Sequence, residues 1–554
     1  MSFFNRHFPS WPPGVPKALT LPRTSLYYNL EVSARRFPDK AAIIYYGSPV
    51  SYAALEREAT ALAGFLQQRC GVKRGDRVLL YAQNCPQFII GYYAILRTDA
   101  VVVPVNPMNK SDELAHYVGD SDTRVAIAAQ ELLKEIEPHL GKGLDHCVLA
   151  AYSDYLREST DLKVPDFVRA PRLDPRHPKV SLWTDALAAG CAPRSGAAGP
   201  DDLAVLPYTS GTTGLPKGCM LTHSNLMSTT VGGSHWAPTS SEAVGLGVLP
   251  MFHLTGMQAN MNIPIHLGAT SVLMTRWDRD TAAELIQRYR VTGIIGITTM
   301  IVDFLANPDL GKYDLSSIVR IGGGGASMPE AVAAKIEKTL GMPFLEGYGL
   351  TETTAPSHSN PVHRPKRQCA GIPYFDTDAR VLDPATFKEL GPNEVGEIVT
   401  RGPQVFRGYW KQEKATADAF LEHDGHRFFR TGDLGYYDEE GYFFITDRLK
   451  RMINCSGYKV WPAEVEAMLY AHPDIQEACV ISAKDLHRGE TVKAVVVLKP
   501  AARGNVEPEA IVAWAREKMA AFKAPRQVEF VEALPKTATG KIFWRKLQEQ
   551  ENRK

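Results

Sequence analysis

The chain has 554 residues and a nearly balanced charge, with 62 Lys and Arg against 61 Asp and Glu and a net charge of +1. Binding to nucleic acid by counterion release needs a clustered excess of positive charge, so this balance argues against a nucleic-acid-binding protein. Hydrophobic residues make up 44% and charged residues 22%, which is typical of globular proteins and excludes wholesale disorder. At roughly 150 residues per domain, the length predicts three or four compact units.

The eight cysteines are scattered along the chain, and no two of them form a C-x-x-C pair suited to zinc or dithiol chemistry. In a chain of this length, scattered thiols indicate a reduced, cytoplasmic protein.

The stretch 243–275 contains no Asp, Glu, Lys or Arg, but it contains Pro, His, Gln and Asn residues, whose polar groups would lack hydrogen-bond partners in lipid. We predict that it is a buried segment beside a ligand pocket. An aromatic N-terminal segment allows peripheral membrane association at most, through Phe3, Phe4, Phe8 and Trp11.

The first 200 residues alternate between helix-like and strand-like segments. Ser51 can cap a helix with an apolar stripe from Leu55 to Leu66. Short apolar runs at 78–81 and 100–105 are typical of buried strands. This alternation predicts layered α/β subdomains with parallel strands.

Two changes of pattern divide the rest of the chain. After about Tyr374, short strand-like pieces separated by Pro and Gly predict a small β subdomain. Near Lys450, a charged hexapeptide precedes a compact tail with mixed helix and strand patterns. The sequence therefore predicts an α/β protein with a large N-terminal domain, 1–449, followed by a small α+β C-terminal domain, 450–554.

The strongest motif is YTSGTTGLPKG, which spans Tyr208 to Gly218 and follows the apolar run 203–206. Its hydroxyls, glycines and Lys217 can surround phosphate groups with O–H and N–H donors. It differs from a P-loop, which needs Ser or Thr after the lysine, where this chain has Gly218. We interpret it as a phosphate-binding loop rather than a polar surface turn.

Three further motifs are weak when taken singly. GYGLTETT, at 347–354, places Glu352 among glycines and hydroxyls, as a hard-cation site beside phosphates requires. Thr-Gly-Asp at 431–433 offers Asp433 to ribose hydroxyls, and PKTATGK at 535–541 puts Lys541 after a glycine turn. The alternative is that these residues have no functional role: each carboxylate would lie in an ordinary turn, and the lysine would lie on a solvent-exposed surface.

In this order and spacing, the four motifs resemble the adenylate-forming superfamily of acyl-CoA synthetases, luciferases and peptide-synthetase adenylation domains. The resemblance extends from about Tyr27 to Leu547 and is greatest to medium- and long-chain fatty acid–CoA ligases. It implies an AMP-forming acid–thiol ligase that uses ATP, Mg²⁺ and CoA. It also implies that the small C-terminal domain is mobile.

The resemblance also implies which residues bind the nucleotide. ATP would be bound by Thr209, Ser210, Gly211, Thr212, Thr213, Gly214, Lys217, Gly324, Gly325, Ala326, Tyr348, Gly349, Thr351, Glu352, Asp433, Arg448 and Lys541. The run Gly322–Ser327 would form the adenine-side loop, where the absence of side chains lets the base approach the backbone. Glu352, with Thr209, would bind Mg²⁺.

The same resemblance implies the catalytic and thiol-guiding residues. The expected catalytic residues are Lys541, Lys217, Glu352 and His253. Lys450 matches the position about which the small domain rotates, and the face that guides the pantetheine thiol would include Ser456, Gly457 and Tyr458. Removing a lysine charge by acetylation would disable catalysis, so we expect a lysine acetyltransferase acting on Lys541 to switch the enzyme off.

The acyl substrate and the oligomeric state stay open at this stage. The uncharged stretch after Pro250 suits an apolar tunnel, with Met257 or its neighbours where certain long-chain relatives carry a gating tryptophan. Medium- to long-chain fatty acids are the leading expectation. The alternatives are an aromatic or branched acid, an acyl-AMP ligase that loads a carrier protein, and a non-catalytic binding protein.

Overall fold

The computed structural model describes residues 3–209, 215–325, 327–448, 451, 453–455, 458–485, 489–537 and 542–553. For residues 448, 454, 458, 459 and 489 it describes the backbone alone. Within these ranges the predicted fold class is confirmed: layered α/β subdomains are followed by a β subdomain and a small α+β unit.

The first region folds mostly into one parallel sheet. Its elements are α1 (Tyr27–Arg36), β1 (Ala41–Tyr45), β2 (Ser48–Ser51), α2 (Tyr52–Gln68), β3 (Arg77–Tyr81), α3 (Pro86–Arg97), β4 (Val101–Pro104), α4 (Ser111–Ser121), β5 (Val125–Ala129), α5 (Leu133–Ile136), β6 (His146–Ala150), α6 (Asp166–Arg169), β7 (Val180–Leu182), α7 (Trp183–Ala188), β8 (Leu203–Val205), β9 (Tyr208–Thr209), β10 (Lys217–Gly218) and β11 (Leu221–Thr222). Seven strands form a sheet in the order β11-β8-β4-β3-β5-β6-β7. Ser51 caps α2 as predicted, since its Oγ accepts a hydrogen bond from the Ala54 N–H at 3.2 Å.

The second region builds a larger sheet. Its elements are α8 (His223–Trp236), β12 (Val244–Gly247), α9 (Leu254–Met257), α10 (Ile263–Leu267), β13 (Thr270–Leu273), α11 (Arg279–Tyr289), β14 (Gly293–Gly296), α12 (Thr298–Leu305), β15 (Arg320–Gly324), α13 (Glu330–Leu340), β16 (Phe344–Tyr348), β17 (His358–Ser359) and β18 (Ile372–Pro373). The nine strands lie in the order β18-β17-β16-β15-β14-β12-β13-β1-β2. A π-helical segment, Gln258–Asn262, joins α9 to α10, so the uncharged stretch forms a buried strand and helix as predicted.

The predicted β subdomain is an antiparallel sheet. It comprises β19 (Asp378–Leu382), β20 (Gly396–Arg401), α14 (Glu413–Asp418), β21 (Phe420–His423), β22 (His426–Tyr437) and β23 (Phe443–Arg448). Its long strand β22 pairs with three neighbours, β20, β21 and β23.

The C-terminal region has an apolar core of its own, which includes Ile453, Val465 and Val480. Its elements are β24 (Ile453–Cys455), β25 (Tyr458–Val460), α15 (Pro462–Leu469), β26 (Ile475–Asp485), β27 (Gly489–Leu498), α16 (Pro508–Lys518), β28 (Gln527–Phe530) and α17 (Trp544–Asn552). The predicted boundary between 449 and 450 lies outside the described residues and stays a prediction. Single 3-10 turns lie at Phe8–Ser10, Gln130–Leu132, Glu137–His139, Tyr152–Tyr155, Leu310–Lys312, Thr351–Thr353 and Pro500–Ala502.

The aromatic N-terminal segment packs into the protein. Phe4 is 5% exposed and Trp11 is 7% exposed. The Trp11 ring meets the rings of Trp236 and Phe375 edge to face, at centroid distances of 5.1 and 5.4 Å. Of the four aromatic residues that allow peripheral membrane association at most, Phe4 and Trp11 thus have their apolar surface buried, whereas Phe3 is exposed. Among the described residues, no helix combines the length and the hydropathy needed to cross a bilayer.

Three parallel strands approach one another unusually closely near their carboxyl ends. A Cβ on Gly323 of β15 would lie 1.8 Å from the Gly296 carbonyl oxygen of β14. A Cβ on Gly324 would lie 2.3 Å from the Gly347 carbonyl oxygen of β16. These glycines are therefore required by the sheet itself, whatever ligand lies beyond it.

We expect Gly323→Ala to destabilise the large domain by about 3 kcal/mol, because the new methyl group overlaps a backbone carbonyl that cannot rotate away. The matched control is Gly245→Ala in β12 of the same sheet, where nothing lies within 4 Å of the added Cβ. Thermal unfolding of both variants checks this expectation. Equal melting temperatures would contradict it.

Candidate functional site

A cavity of 2840 Å³ opens between the two parallel sheets, the β subdomain and the C-terminal region. Ten of the predicted site residues line it: Thr209, Lys217, His253, Gly324, Gly325, Tyr348, Gly349, Thr351, Glu352 and Asp433. The structure thus brings together motifs that are far apart in sequence. Twelve others lie outside the described residues: Ser210, Gly211, Thr212, Thr213, Gly214, Ala326, Lys450, Ser456, Gly457 and Lys541 wholly, and Arg448 and Tyr458 in their side chains.

The hydroxyl-rich motif is a hairpin held at its base. Thr209 and Lys217 are direct partners in the antiparallel pair β9–β10. The Pro216 carbonyl oxygen lies 2.7 Å from Nε2 of His116 on α4. Tyr208 donates a hydrogen bond to Asp120 of the same helix, at 2.6 Å. The loop therefore starts and ends on fixed positions at the cavity wall.

Lys217 and Glu352 are linked through an intermediate side chain. The Lys217 ammonium lies 4.9 Å from the ring centroid of Tyr409. The Tyr409 hydroxyl donates a hydrogen bond to Glu352 Oε1 at 2.9 Å. Burial, followed by the negative charge of Glu352, raises the pKa of Tyr409, so its hydroxyl stays a donor. Lys217 and Glu352 therefore both line the cavity, and Tyr409 lies in contact with each of them.

Asp433 is fixed in a buried corner of the cavity. It is 3% exposed, and it accepts a hydrogen bond from the Tyr348 hydroxyl. Its backbone N–H donates to Thr431 Oγ1 at 3.1 Å. The backbone of Arg448 is directly opposite Asp433 in the pair β22–β23, although its side chain is not described. Because carboxylate oxygens accept from hydroxyls, this corner suits a diol such as a ribose.

Two separate requirements explain the glycines at the end of β15 and directly after it. Gly323 and Gly324 are needed for close strand packing, as described above, whereas Gly325 takes a φ of +88° that favours glycine. Glu346 supports the turn from the far side, since its carboxylate accepts from the N–H groups of Met328 and Gln368 at 3.0 and 2.7 Å. Burial raises the pKa of Glu346 from 4.5 to about 7.

Residues of α8 and of the α9–α10 helix line one largely apolar part of the cavity, here called the apolar branch. His253 directly precedes α9, and its carbonyl accepts from the Met257 N–H at 2.8 Å. On α8, Thr229, Gly233 and Trp236 line the branch from one helix face. Met257 is fully buried in the core and does not line the cavity; its neighbours Gly256 and Gln258 do.

The C-terminal region borders the same cavity. Lys536 and Thr537 line it before the undescribed stretch 538–541, and Ile542 and Trp544 line it afterwards. Lys536 and Ile542 pair as an antiparallel bridge. The Ala463 N–H donates to Asp447 of β23 at 2.8 Å, which ties α15 to the β subdomain.

Sequence reasoning missed Tyr409, His116 and Trp236. Tyr409 lies 57 positions from Glu352 and carries no motif, so the sequence has no signal for their contact. His116 contacts the phosphate-loop motif across 100 positions. Trp236 falls at the end of an unremarkable helix, and only the fold shows that it faces the cavity.

The chain resembles known proteins over nearly its whole length. Residues 30–410 match the family described as AMP-binding enzyme, and 464–541 match the AMP-binding enzyme C-terminal domain. A long-chain-fatty-acid–CoA ligase of Bacillus subtilis (strain 168) is 37% identical, over 98% of this chain and 97% of that protein. A feruloyl-CoA synthase of Amycolatopsis sp is 35% identical over 92% and 96%. ATP-bound MatB from Rhodopseudomonas palustris superposes with a TM-score of 0.82 at 29% identity, over 94% and 99%.

Glu346 makes stability depend on pH. Because its folded pKa is raised from 4.5 to about 7, the buried protonated carboxyl favours the folded state below pH 4.5, and this contribution disappears as pH rises through 7. We expect Glu346→Gln to gain up to about 3 kcal/mol relative to the wild type over that interval. Melting temperatures from pH 4.5 to 8 measure the difference, with the exposed Glu439→Gln as control. A constant difference across this pH range would contradict the expectation.

Proposed function

The chain belongs to the AMP-binding enzyme family, as the motifs predicted, and on this premise we propose that it is an ATP-dependent acid–CoA ligase acting on fatty acids. The reaction has two steps. A carboxylate and ATP give acyl-AMP and pyrophosphate, and acyl-AMP and CoA then give acyl-CoA and AMP. Medium- to long-chain acids are the proposed substrates.

One observation carries this proposal: a single cavity joins a lysine, a carboxylate, a diol-binding corner and an apolar branch. Lys217 and Glu352 face one part of it, and Asp433 lies in another. The apolar branch passes His253, beside α8. These groups support binding of a nucleotide and an apolar acid in one cavity.

The first step requires two anions to approach each other. A substrate carboxylate oxygen attacks the α-phosphorus, a new P–O bond forms, and the bond to the bridging oxygen of pyrophosphate breaks. Fixed cations offset the repulsion, so positioned lysines supply much of the catalysis. We assign Lys217 to the phosphates and Lys541 to the bridge between carboxylate and α-phosphate.

The remaining nucleotide contacts are assigned by motif. The phosphate loop would comprise Thr209, Ser210, Gly211, Thr212, Thr213 and Gly214. The base and ribose would be bound by Gly324, Gly325, Ala326, Tyr348, Gly349, Thr351, Asp433 and Arg448. The hydrogen bond from Tyr348 to Asp433 supports this assignment, because it holds the carboxylate ready to accept from a ribose hydroxyl.

Mg²⁺ is the proposed metal cofactor. Glu352 and Thr209 both line the cavity with oxygen ligands of the kind that hard cations prefer. Bound there, the ion would neutralise phosphate charge. Tyr409 orients Glu352 for this role through its hydrogen bond to Oε1.

Thioester formation requires the pantetheine thiol to reach the acyl carbon, with AMP as the leaving group. We assign the guiding face to Ser456, Gly457 and Tyr458, beside His253. The domains 1–449 and 450–554 would rotate relative to each other about Lys450. Different residues of the small domain would then surround the adenylate in each of the two steps. Acetylation of Lys541 would remove the charge needed in the first step.

An aromatic acid is the second candidate substrate. One 35% identical relative is named a feruloyl-CoA synthase, whereas the 37% identical relative is named a long-chain-fatty-acid–CoA ligase. Delivery of the acyl group to a carrier protein in place of CoA is the other alternative. We also infer a cytoplasmic location, which is supported by the eight cysteines forming no disulfide with one another, because oxidising compartments favour disulfides.

The activity is tested with purified protein, ATP, Mg²⁺, CoA and a panel of alkyl acids, benzoate and cinnamate. We expect acyl-CoA and AMP, detected by mass, with the highest turnover among the alkyl acids. Preference for cinnamate would support the aromatic alternative. AMP or acyl-adenylate without thioester would indicate a carrier-protein acceptor, and no product from any acid would contradict the proposed function.

Lys541→Ala tests the proposed catalytic role. We expect adenylate formation to fall by at least about 100-fold while ATP binding is retained, because one charge that stabilises the transition state is removed. Lys546→Ala, an exposed lysine on α17, is the matched control. Pyrophosphate exchange measures the first step alone. Undiminished exchange in the Lys541 variant would contradict the role.

A further inference from the structure

A half-buried arginine in the wall of the cavity has no hydrogen-bond or ion-pair partner for its side chain in the described part of the chain. Arg320 is the first residue of β15 and lines the cavity. Its Nε is buried and makes no hydrogen bond, and no described carboxylate lies within ion-pair distance of the guanidinium. Burial lowers the pKa of Arg320. Because the Nε is removed from water without a partner, which is costly for a charged group, the site favours an anionic occupant.

Tyr374 is a second polar group in the wall of the same cavity as Arg320. It lies in the cavity wall, buried to 5% exposure, and its ring centroid is 4.9 Å from that of Trp236 on α8. Arg320 acts on the Tyr374 hydroxyl electrostatically, although burial still raises the pKa of Tyr374 overall. A guanidinium and a neutral phenol O–H together offer the donors that a carboxylate accepts.

The position of Arg320 relative to the proposed reaction centre follows from strand geometry. Side chains alternate along a strand, so Arg320, Gly322 and Gly324 share one face of β15. The two glycines leave that face open, and Gly324 lies at the end assigned to the nucleotide. Four residues of strand place Arg320 roughly 13 Å from that end. This distance suits the far end of a medium-length acyl chain.

Other charged groups near this end of the cavity are already engaged. Glu346 also lines the cavity, but its two carboxylate oxygens accept hydrogen bonds from the backbone N–H groups of Met328 and Gln368. Arg367 is paired with Glu330 and Glu337.

We propose that Arg320 and Tyr374 bind a second carboxylate at the distal end of the acyl substrate, so that the preferred acid is an α,ω-dicarboxylic acid of medium length. This proposal rests on the proposed function, because it takes the apolar branch as the acyl site. One carboxylate reacts with ATP, and the other stays bound to Arg320 by charge-assisted hydrogen bonds.

The test compares octanedioate, decanedioate and dodecanedioate with octanoate, decanoate and dodecanoate. Arg320→Met keeps the length of the side chain and removes its charge, and Tyr374→Phe removes the hydroxyl alone. We expect Arg320→Met to lower kcat/KM for the best dicarboxylate by at least about 10-fold, with kcat/KM for the matched monocarboxylate unchanged or raised. Tyr374→Phe should have the same effect to a smaller degree. Arg124→Met, an exposed arginine, is the control.

A binding measurement that does not depend on catalysis distinguishes a failure of the Arg320 site from a failure of the proposed ligase function. We expect dodecanedioate to raise the melting temperature of the wild type, and to raise that of Arg320→Met much less. If no acid gives product but this difference persists, the proposed function fails and the Arg320 site stands. Equal losses for dicarboxylates and monocarboxylates, or equal thermal shifts in the wild type and Arg320→Met, would overturn the role of Arg320.

Discussion

Close packing of the strands at the centre of the large sheet is the constraint on which the cavity depends. Where β14, β15 and β16 end, a side chain on Gly323 would overlap the carbonyl of Gly296, and one on Gly324 would overlap that of Gly347. The strands can therefore pass close together only without side chains. Their ends form a floor of exposed backbone, from which Tyr348 projects toward Asp433. The same glycines thus serve the sheet first and the proposed nucleotide site second.

Contacts between residues far apart in sequence hold the other walls of the cavity in place around these strand ends. Tyr409 connects Lys217 of the hairpin with Glu352 beyond β16, so two motifs from different parts of the chain keep a fixed relation. Behind the apolar branch, Trp236 donates to the Asn360 carbonyl at 3.0 Å and packs against Trp11. The N-terminal segment is therefore part of the outer wall of the cavity. Packing within the protein explains the aromatic side chains of Phe4 and Trp11.

How far the sequence predicts this arrangement depends on the kind of signal. The cap at Ser51, the change to β structure after Tyr374 and the order of four motifs are local features, and each of them leads to the correct fold class. Tyr409 and Trp236 have no local signal, because their roles arise from contacts across 57 and 124 positions. The expectation for Met257 or its neighbours is resolved only by the helix geometry, which turns Met257 into the core and leaves Gly256 and Gln258 on the cavity wall.

Arg320 shows why the chemistry of a pocket is harder to predict than its fold. In sequence it is one arginine before an apolar residue and a glycine run, and its usual interpretation is a solvated strand end. The fold instead places it in the wall of the cavity that Tyr374 and residues of α8 also line. The proposed acyl site therefore combines apolar side chains with a guanidinium, and these bind different parts of a substrate. A substrate that satisfies both must be apolar in the middle and charged at each end, which is a narrower class than fatty acids as a whole.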